Sequence, residues 1–447
     1  MRPNQLLAFA LVPAAITSRF CHGSAAAGAL EHEPSSEQST VTASDVLDTT
    51  KRNSFYFEHW CGGDLEYLDD SKCVKKFPTN NARDFHCPIS TQTTADLPVG
   101  YQPDQAFSRI DVHPLSVVTN GADACVILTR RVDGVPYNKY YCTPQSSAYE
   151  TWSSSKIFAM ANAAGTLRGR ETTTCVPAGM LGIDSHTNGK ASDTLLLGDL
   201  ATIICSYDRT AGYTSNSLSS YFHDLGWREK IHDLVQSNWL AEGDLSVSLG
   251  GNYGEATPGD LGFRLTSNSN GDVSCDAIDK PLDSTPKYEN SLTALAAAEM
   301  TRRLVLHDAV DPSLRFPYLA SADARTILQG ADYTAYANAT LFPLQMGGMS
   351  ADTSIFLQSH LDMNSVEEAS QGNWRIYSKL GCGYSSDRKV GEIVTNVYAC
   401  LPGTFGVELT VHVRGSVPGD TGITQVEAVV HDAIGAVVEG LKDGSIV

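Results

Sequence analysis

Trp152-Ser153-Ser154-Ser155-Lys156 runs directly into Ile157-Phe158-Ala159-Met160-Ala161-Asn162-Ala163-Ala164. The second half is apolar and alanine-rich and reads as a helix, with the serines and Lys156 at its N-terminal end. Positions i and i+3 share a helix face, so Ser153 Oγ and Lys156 Nζ can meet. A serine hydroxyl is a weak nucleophile until a base takes its proton. A lysine whose pKa is depressed in a dry site is such a base. The helix N-terminus adds unpaired N–H groups and a partial positive charge, which favour a developing oxyanion. The same residues also fit a serine N-cap followed by a solvated lysine. The serine run offers several registers, and the rest of the chain has to choose among them.

The chain has 447 residues, 42% of them hydrophobic, enough for a substantial core in one large domain or two ordinary ones. A formal net charge of −19 argues against nucleic acid and anionic membranes as partners. Residues 1–24 read as a signal peptide: Met1-Arg2 is a short basic start, Leu6 to Ile16 is apolar, and small residues follow near Gly23 to Ala27. That run is too short for a stable membrane span, and no other stretch reaches spanning length. Secretion is therefore expected. Of eleven cysteines, Cys21 would leave with the signal peptide. The ten that remain predict up to five disulfides in a secreted chain. With no Cys-x-x-Cys pair and no tight histidine cluster, neither a metal nor another cofactor is expected. Asn338-Ala339-Thr340 is an acceptor sequon for N-glycosylation.

Residues 25–50, rich in Ser, Thr, Ala and Glu, read as a flexible leader. Residues 51–106 read as a small cysteine-rich extension, and 107–447 as the main domain. Insertions are expected near 265–290 and, less sharply bounded, within 308–370. Strands are predicted near Leu115 to Val118 and Ala124 to Arg130, with helices over Leu195 to Cys205, Leu218 to Leu225 and Thr293 to Leu306. Asp244 to Asp260 reads as a glycine-rich loop. Three consecutive strands then follow at Trp374 to Lys379, Val390 to Cys400 and Phe405 to Val413, and an amphipathic helix spans Thr424 to Leu441. Strands grouped together with helices before and after predict an α/β (α+β) fold, an antiparallel sheet flanked by helices.

Two more motifs fix the register. Tyr213-Thr214-Ser215-Asn216 lies about 60 residues beyond Lys156, just before a helix, and Lys379-Leu380-Gly381 ends the first of the three terminal strands. With Ser153 to Lys156, these resemble, in order and setting, the motifs of the serine β-lactamase and penicillin-binding-protein superfamily, especially class A β-lactamases. The resemblance covers roughly residues 107 to 445 without the insertions. It implies a β-lactamase-like sheet plus a helical subdomain that carries the Ser-x-x-Lys helix. It also implies a serine hydrolase or acyl-transfer enzyme acting on small-molecule or peptide amides, lactams or esters. Ser153 would attack and Lys156 would take its proton. Thr214, or Tyr213 beside it, would relay a proton to the leaving group. Asn216 would hydrogen-bond Lys156 and the substrate amide. Lys379 and Gly381 would bind substrate, with Lys379 attracting a carboxylate. The N–H groups of Ser153 and Cys382 would form the oxyanion hole.

The chain departs from that pattern in two places. Leu380 stands where a hydroxyl or small residue is usual, which puts the choice of substrate in question. Tyr253-Gly254-Glu255-Ala256-Thr257-Pro258-Gly259-Asp260 resembles the later part of the loop that carries the deacylating glutamate. Anchored there, the base position falls on Gly250, and nothing in the spacing favours Glu255 or Asp260 as a substitute. An acyl-enzyme would then form and persist, as in penicillin-binding proteins. Two other readings fit the same residues: a D-amino-acid peptidase or transpeptidase, and a secreted binding or structural protein of the same fold without catalysis.

Overall fold

The computed structural model describes residues 78–80, 82, 84–89, 93–104, 112–115, 122–144, 148–169, 181–184, 186–187, 190–191, 195–206, 215–238, 246–254, 264–267, 287–330, 348–350, 355–419 and 423–447. Its main sheet has seven strands: β1 (Gln102–Pro103), β2 (Val112–Pro114), β3 (Ala122–Val132), β4 (Val135–Cys142), β5 (Arg375–Ser385), β6 (Val390–Cys400) and β7 (Glu408–Pro418). They lie in the order β1-β4-β3-β7-β6-β5, all antiparallel, with β2 parallel to β4. The antiparallel sheet flanked by helices expected from the sequence is therefore the fold that forms.

β6 matches its predicted span and β3 extends it by two residues at each end, whereas β5 continues past Lys379 to Ser385 and β7 runs from Glu408 to Pro418 rather than from Phe405 to Val413. β4 was not visible in the sequence, because Asn138 and Lys139 interrupt its apolar pattern. Both are buried nonetheless. Asn138 donates to Asp104 at 2.6 Å and accepts from Thr129 at 2.7 Å, so its polarity is satisfied inside the sheet. The predicted Leu115 to Val118 strand is instead Val112–Pro114; residues 116–118 lie outside the described set.

Alternation along the strands sends side chains to two faces. Leu409, Val411 and Val413 of β7 pack with Val426, Val430, Ala433, Ile434, Val437 and Val438 of the helix Ile423–Asp443. Each such side chain contributes about 1.5–3 kcal/mol by leaving water. Gly415 lets this helix approach, since a Cβ there would lie 2.8 Å from Val430. Toward the opposite face lies a helical core around α1 (Lys156–Arg168), with α2 (Leu197–Ser206), α3 (Ser215–Leu225), α4 (Ala294–Val305) and α5 (Ser321–Gln329). Every residue of α1 from Lys156 to Leu167 is buried, as an all-round apolar helix requires. Thr293 caps α4 by accepting from Ala296 N at 3.2 Å. The helix predicted from Leu195 begins at Leu197.

Described parts of 308–370 contribute Phe316, Ala324, Ile327, Leu328 and Met349 to the helical core. Described parts of the cysteine-rich extension run against the sheet. Arg375 donates to Asn80 O at 2.6 Å and lies over the Phe85 ring, while Cys87 is disulfide-bonded to Cys400. A second disulfide, Cys125–Cys142, joins β3 to β4, and Cys382 is also disulfide-bonded. Cys205 is buried in the helical core. The proposed signal peptide, the leader, the sequon at Asn338 and residues 268–284 lie outside the described residues.

Candidate active site

The serine stretch is a 3₁₀ turn, Trp152–Ser155, and α1 begins at Lys156. Its three serines differ in environment. Ser154 is fully buried and donates to Thr151 O at 2.6 Å. Ser155 is fully buried, accepts from Thr151 Oγ1 at 2.7 Å and pairs with the Tyr253 hydroxyl at 3.0 Å. Ser153 is only partly buried and lines a cavity of about 300 Å³. Ser153 is therefore the serine of the three that faces open space.

Four contacts hold this turn in place. Trp152, at φ +48°, lies in the left-handed region that a bulky residue rarely enters. Its ring packs against Gly383 of β5, where a Cβ would collide with it. Its indole N–H donates to Glu392 at 3.1 Å. From β6, Asn396 Nδ2 donates to Ser154 O at 3.1 Å. Gly381 closes the other side, because a Cβ there would lie 2.6 Å from Ser153 N. Close approach of β5 to the serine turn thus requires glycine at 381 and 383.

Lys156 is fully buried. Its Nζ donates to Ser215 Oγ at 2.9 Å and to Asn216 Oδ1. Ser215 Oγ in turn donates to Ile204 O at 3.0 Å, so it accepts from the lysine. A neutral amine keeps two N–H bonds, so it can still donate to Ser215 and Asn216. The Tyr253 ring lies 5.4 Å from Nζ and closes the lysine from solvent. Burial pushes the Tyr253 phenol well above its usual range. The same hydroxyl contacts His223 Nε2 at 3.2 Å, and burial, with Arg228 nearby, holds His223 well below the usual imidazole range. His223 is thus neutral at pH 7.

Asn216 and Cys382 line the cavity with Ser153. Lys379 is fully buried, donates to Leu380 O at 2.6 Å, and is not among the described residues lining the cavity. Leu380 is buried in the apolar cluster that joins the sheet to the C-terminal helix. Tyr213 and Thr214 lie outside the described residues. Ser215 is the site residue that the sequence did not single out. Its position inside the second motif was the available signal.

The loop 248–254 forms another wall, through Gly251, Asn252, Tyr253 and Gly254. Gly250 is buried at φ +123°. Its N–H donates to Asn290 Oδ1 at 3.1 Å and its carbonyl accepts from Arg228. Asp224 holds Arg228 at 2.6 Å. Among the described residues, no group of three or more His, Cys, Asp or Glu is placed to hold a metal ion, and no helix is long and apolar enough to cross a membrane.

No protein-family model matches this chain, and no curated relative does. Among solved structures it is similar to a beta lactamase from Xanthomonas campestris, with 12% identity over 72% of this chain and 92% of that one, at a TM-score of 0.34. It is also similar to the TLA-3 extended-spectrum beta-lactamase, with 9% identity over 76% and 98% and a TM-score of 0.39. A beta-lactamase from Streptosporangium roseum shares 14% identity over 72% and 92%, with a TM-score of 0.38.

Proposed function

We propose that this chain is a secreted serine acyl-transfer enzyme that forms an acyl-enzyme on Ser153 with amide, lactam or ester substrates. The observation that carries this reading is the placement of Ser153 at the cavity beside Asn216, with buried Lys156 bonded to Asn216 and Ser215 behind it. Ser153 Oγ attacks the carbonyl carbon, and Lys156 Nζ takes its proton. The N–H groups of Ser153 and Cys382 stabilise the oxyanion, and Asn216 orients the substrate amide. Thr214 or Tyr213 returns the proton to the leaving group. Disulfides Cys87–Cys400 and Cys125–Cys142 are compatible with an oxidising compartment.

Gly250, with its N–H and carbonyl both engaged, offers no base for the second half-reaction. The acyl-enzyme therefore outlives its formation, and turnover is slow. Labelling with a fluorescent fluorophosphonate tests the proposal. Labelling of the folded protein that is lost in Ser153→Ala supports it. Absence of labelling, or equal labelling of the variant, leaves the reading of a non-catalytic binding protein.

A further inference from the structure

The charges around the cavity are unevenly placed. Glu150, Glu289 and Asp387 line it, whereas Arg388 is the one basic residue among its described lining. Arg388 is already committed, to Glu150 at 3.0 Å and to Glu392 at 2.5 Å. Glu392 is fully buried and also takes Arg414. Burial raises the Glu150 carboxyl above its usual range despite Arg388, and Glu392 and Asp387 push it the same way. Carboxylates therefore crowd this wall beyond what its arginine neutralises. The cations that an anionic substrate would need lie elsewhere: Lys156 and Lys379 are both fully buried, and Leu380 offers no hydroxyl. Trp152 and Tyr288 add aromatic surface to the same wall, and aromatic faces attract cations.

We infer that the cavity takes an acyl donor whose carbonyl reaches Ser153 while an amine or guanidinium on its distal part meets Glu150, Glu289 and Asp387. This rests on the acyl-enzyme reading above and names the substrate class for that same site. Acids at the mouth and the N–H groups of Ser153 and Cys382 at the floor give the two ends of the cavity opposite polarity. A developing oxyanion suits the floor, and a positive group suits the mouth.

Three p-nitrophenyl esters of similar length test this: 6-(trimethylammonio)hexanoate, heptanoate and the monoester of pimelate, which are cationic, neutral and anionic. In each, Ser153 Oγ forms a bond to the acyl carbon and its proton passes to Lys156. The C–O bond to p-nitrophenolate breaks with its electron pair. The acylation burst is read, so slow deacylation does not obscure it. The cationic ester acylates about tenfold faster than the neutral one at low salt and the anionic one slower still, with the spread shrinking at high salt. In Glu289→Gln/Asp387→Asn the cationic-to-neutral ratio falls toward one. The ratio is unaffected by partial loss of folded protein. An anionic ester that matches or beats the neutral one, or a ratio unchanged in the double variant, overturns the inference. If heptanoate gives no burst that depends on Ser153, the acyl-enzyme reading itself fails. If that burst appears without charge preference, only this inference fails.

Discussion

The indole N–H of Trp152 donates to Glu392 at 3.1 Å, and Trp152 is the residue whose φ of +48° turns the chain into Ser153. Glu392 is itself held by Arg388 and Arg414. A buried carboxylate on an interior strand thus orients the residue before Ser153. Trp152→Phe keeps a ring over Gly383 and removes only the donor. A hydrogen bond to a charged group is worth about 1.5–3 kcal/mol. The variant should acylate about tenfold more slowly if half of that is felt at Ser153, a loss visible in the p-nitrophenolate burst. An unchanged rate with lowered stability would show that the bond serves folding alone.

Lys156 and Ser215 should separate by size of effect. Lys156→Ala removes the proposed base and should slow acylation by about 10²–10⁴-fold. Ser215→Ala removes one acceptor from Lys156 and one donor from Ile204 O, a loss of about 1 kcal/mol for a neutral bond. Its acylation rate should fall by about tenfold or less. Equal losses in both variants would place the proton transfer on Ser215 instead.

His412 links stability to pH. Its Nδ1 lies 2.6 Å from Asn396 Oδ1, and its Nε2 lies 2.9 Å from the Tyr149 hydroxyl. Asn396 uses its amide N–H for Ser154 O, so its oxygen accepts and His412 carries the proton on Nδ1. Burial, with Arg414 nearby, lowers the imidazole to about 3. The unfolded chain then binds a proton near pH 6.5 that the folded chain refuses. The stability from neutral His412 is fully present above that pH and is lost as pH falls toward 3. The loss should reach about 2 kcal/mol at pH 5. Urea unfolding at pH 7 and pH 5 measures it, and His412→Gln should show a shallower decline. Parallel declines would contradict the assignment.

Restoring a carboxylate at 250 should not restore turnover. At φ +123° a side chain is strained, and a Cβ there would lie 3.1 Å from Arg228 O and 3.3 Å from Tyr288. Gly250→Glu should lower the melting temperature and leave acyl-enzyme decay within about twofold of the parent rate, since a side chain entering from this backbone meets a filled space. Faster decay would mean that the loop adapts and that the missing base alone limits turnover.

Much of this was legible because it rests on local periodicity. The apolar run after Lys156 and the three C-terminal strands are long and regular, and each formed where expected, although β5 and β7 extend five or six residues beyond their predicted ends. β4 was hidden because Asn138 and Lys139 are polar, and their burial depends on partners distant in sequence, such as Asp104. At the site, the spacing of Ser153 and Lys156 was readable. The two downstream motifs chose Ser153 over Ser154 and Ser155, and the structure adds that the Ser154 and Ser155 hydroxyls are engaged by Thr151 and Tyr253. The direction of Lys379 was hidden for a related reason. A lysine at a strand end is compatible with a substrate anchor, but in the structure its amine meets Leu380 O and the residue is closed from solvent. Charge crowding around Arg388 joins residues 150, 289, 387 and 392, which no sequence window contains.

The most direct test of the central claim is peptide mapping by mass spectrometry after brief exposure to p-nitrophenyl heptanoate. The account predicts one heptanoyl group on the peptide containing Ser153, fragmenting to Ser153 rather than Ser154 or Ser155, absent in Ser153→Ala and persisting long enough to isolate. A heptanoyl group on another residue, or the same modification in Ser153→Ala, would contradict it.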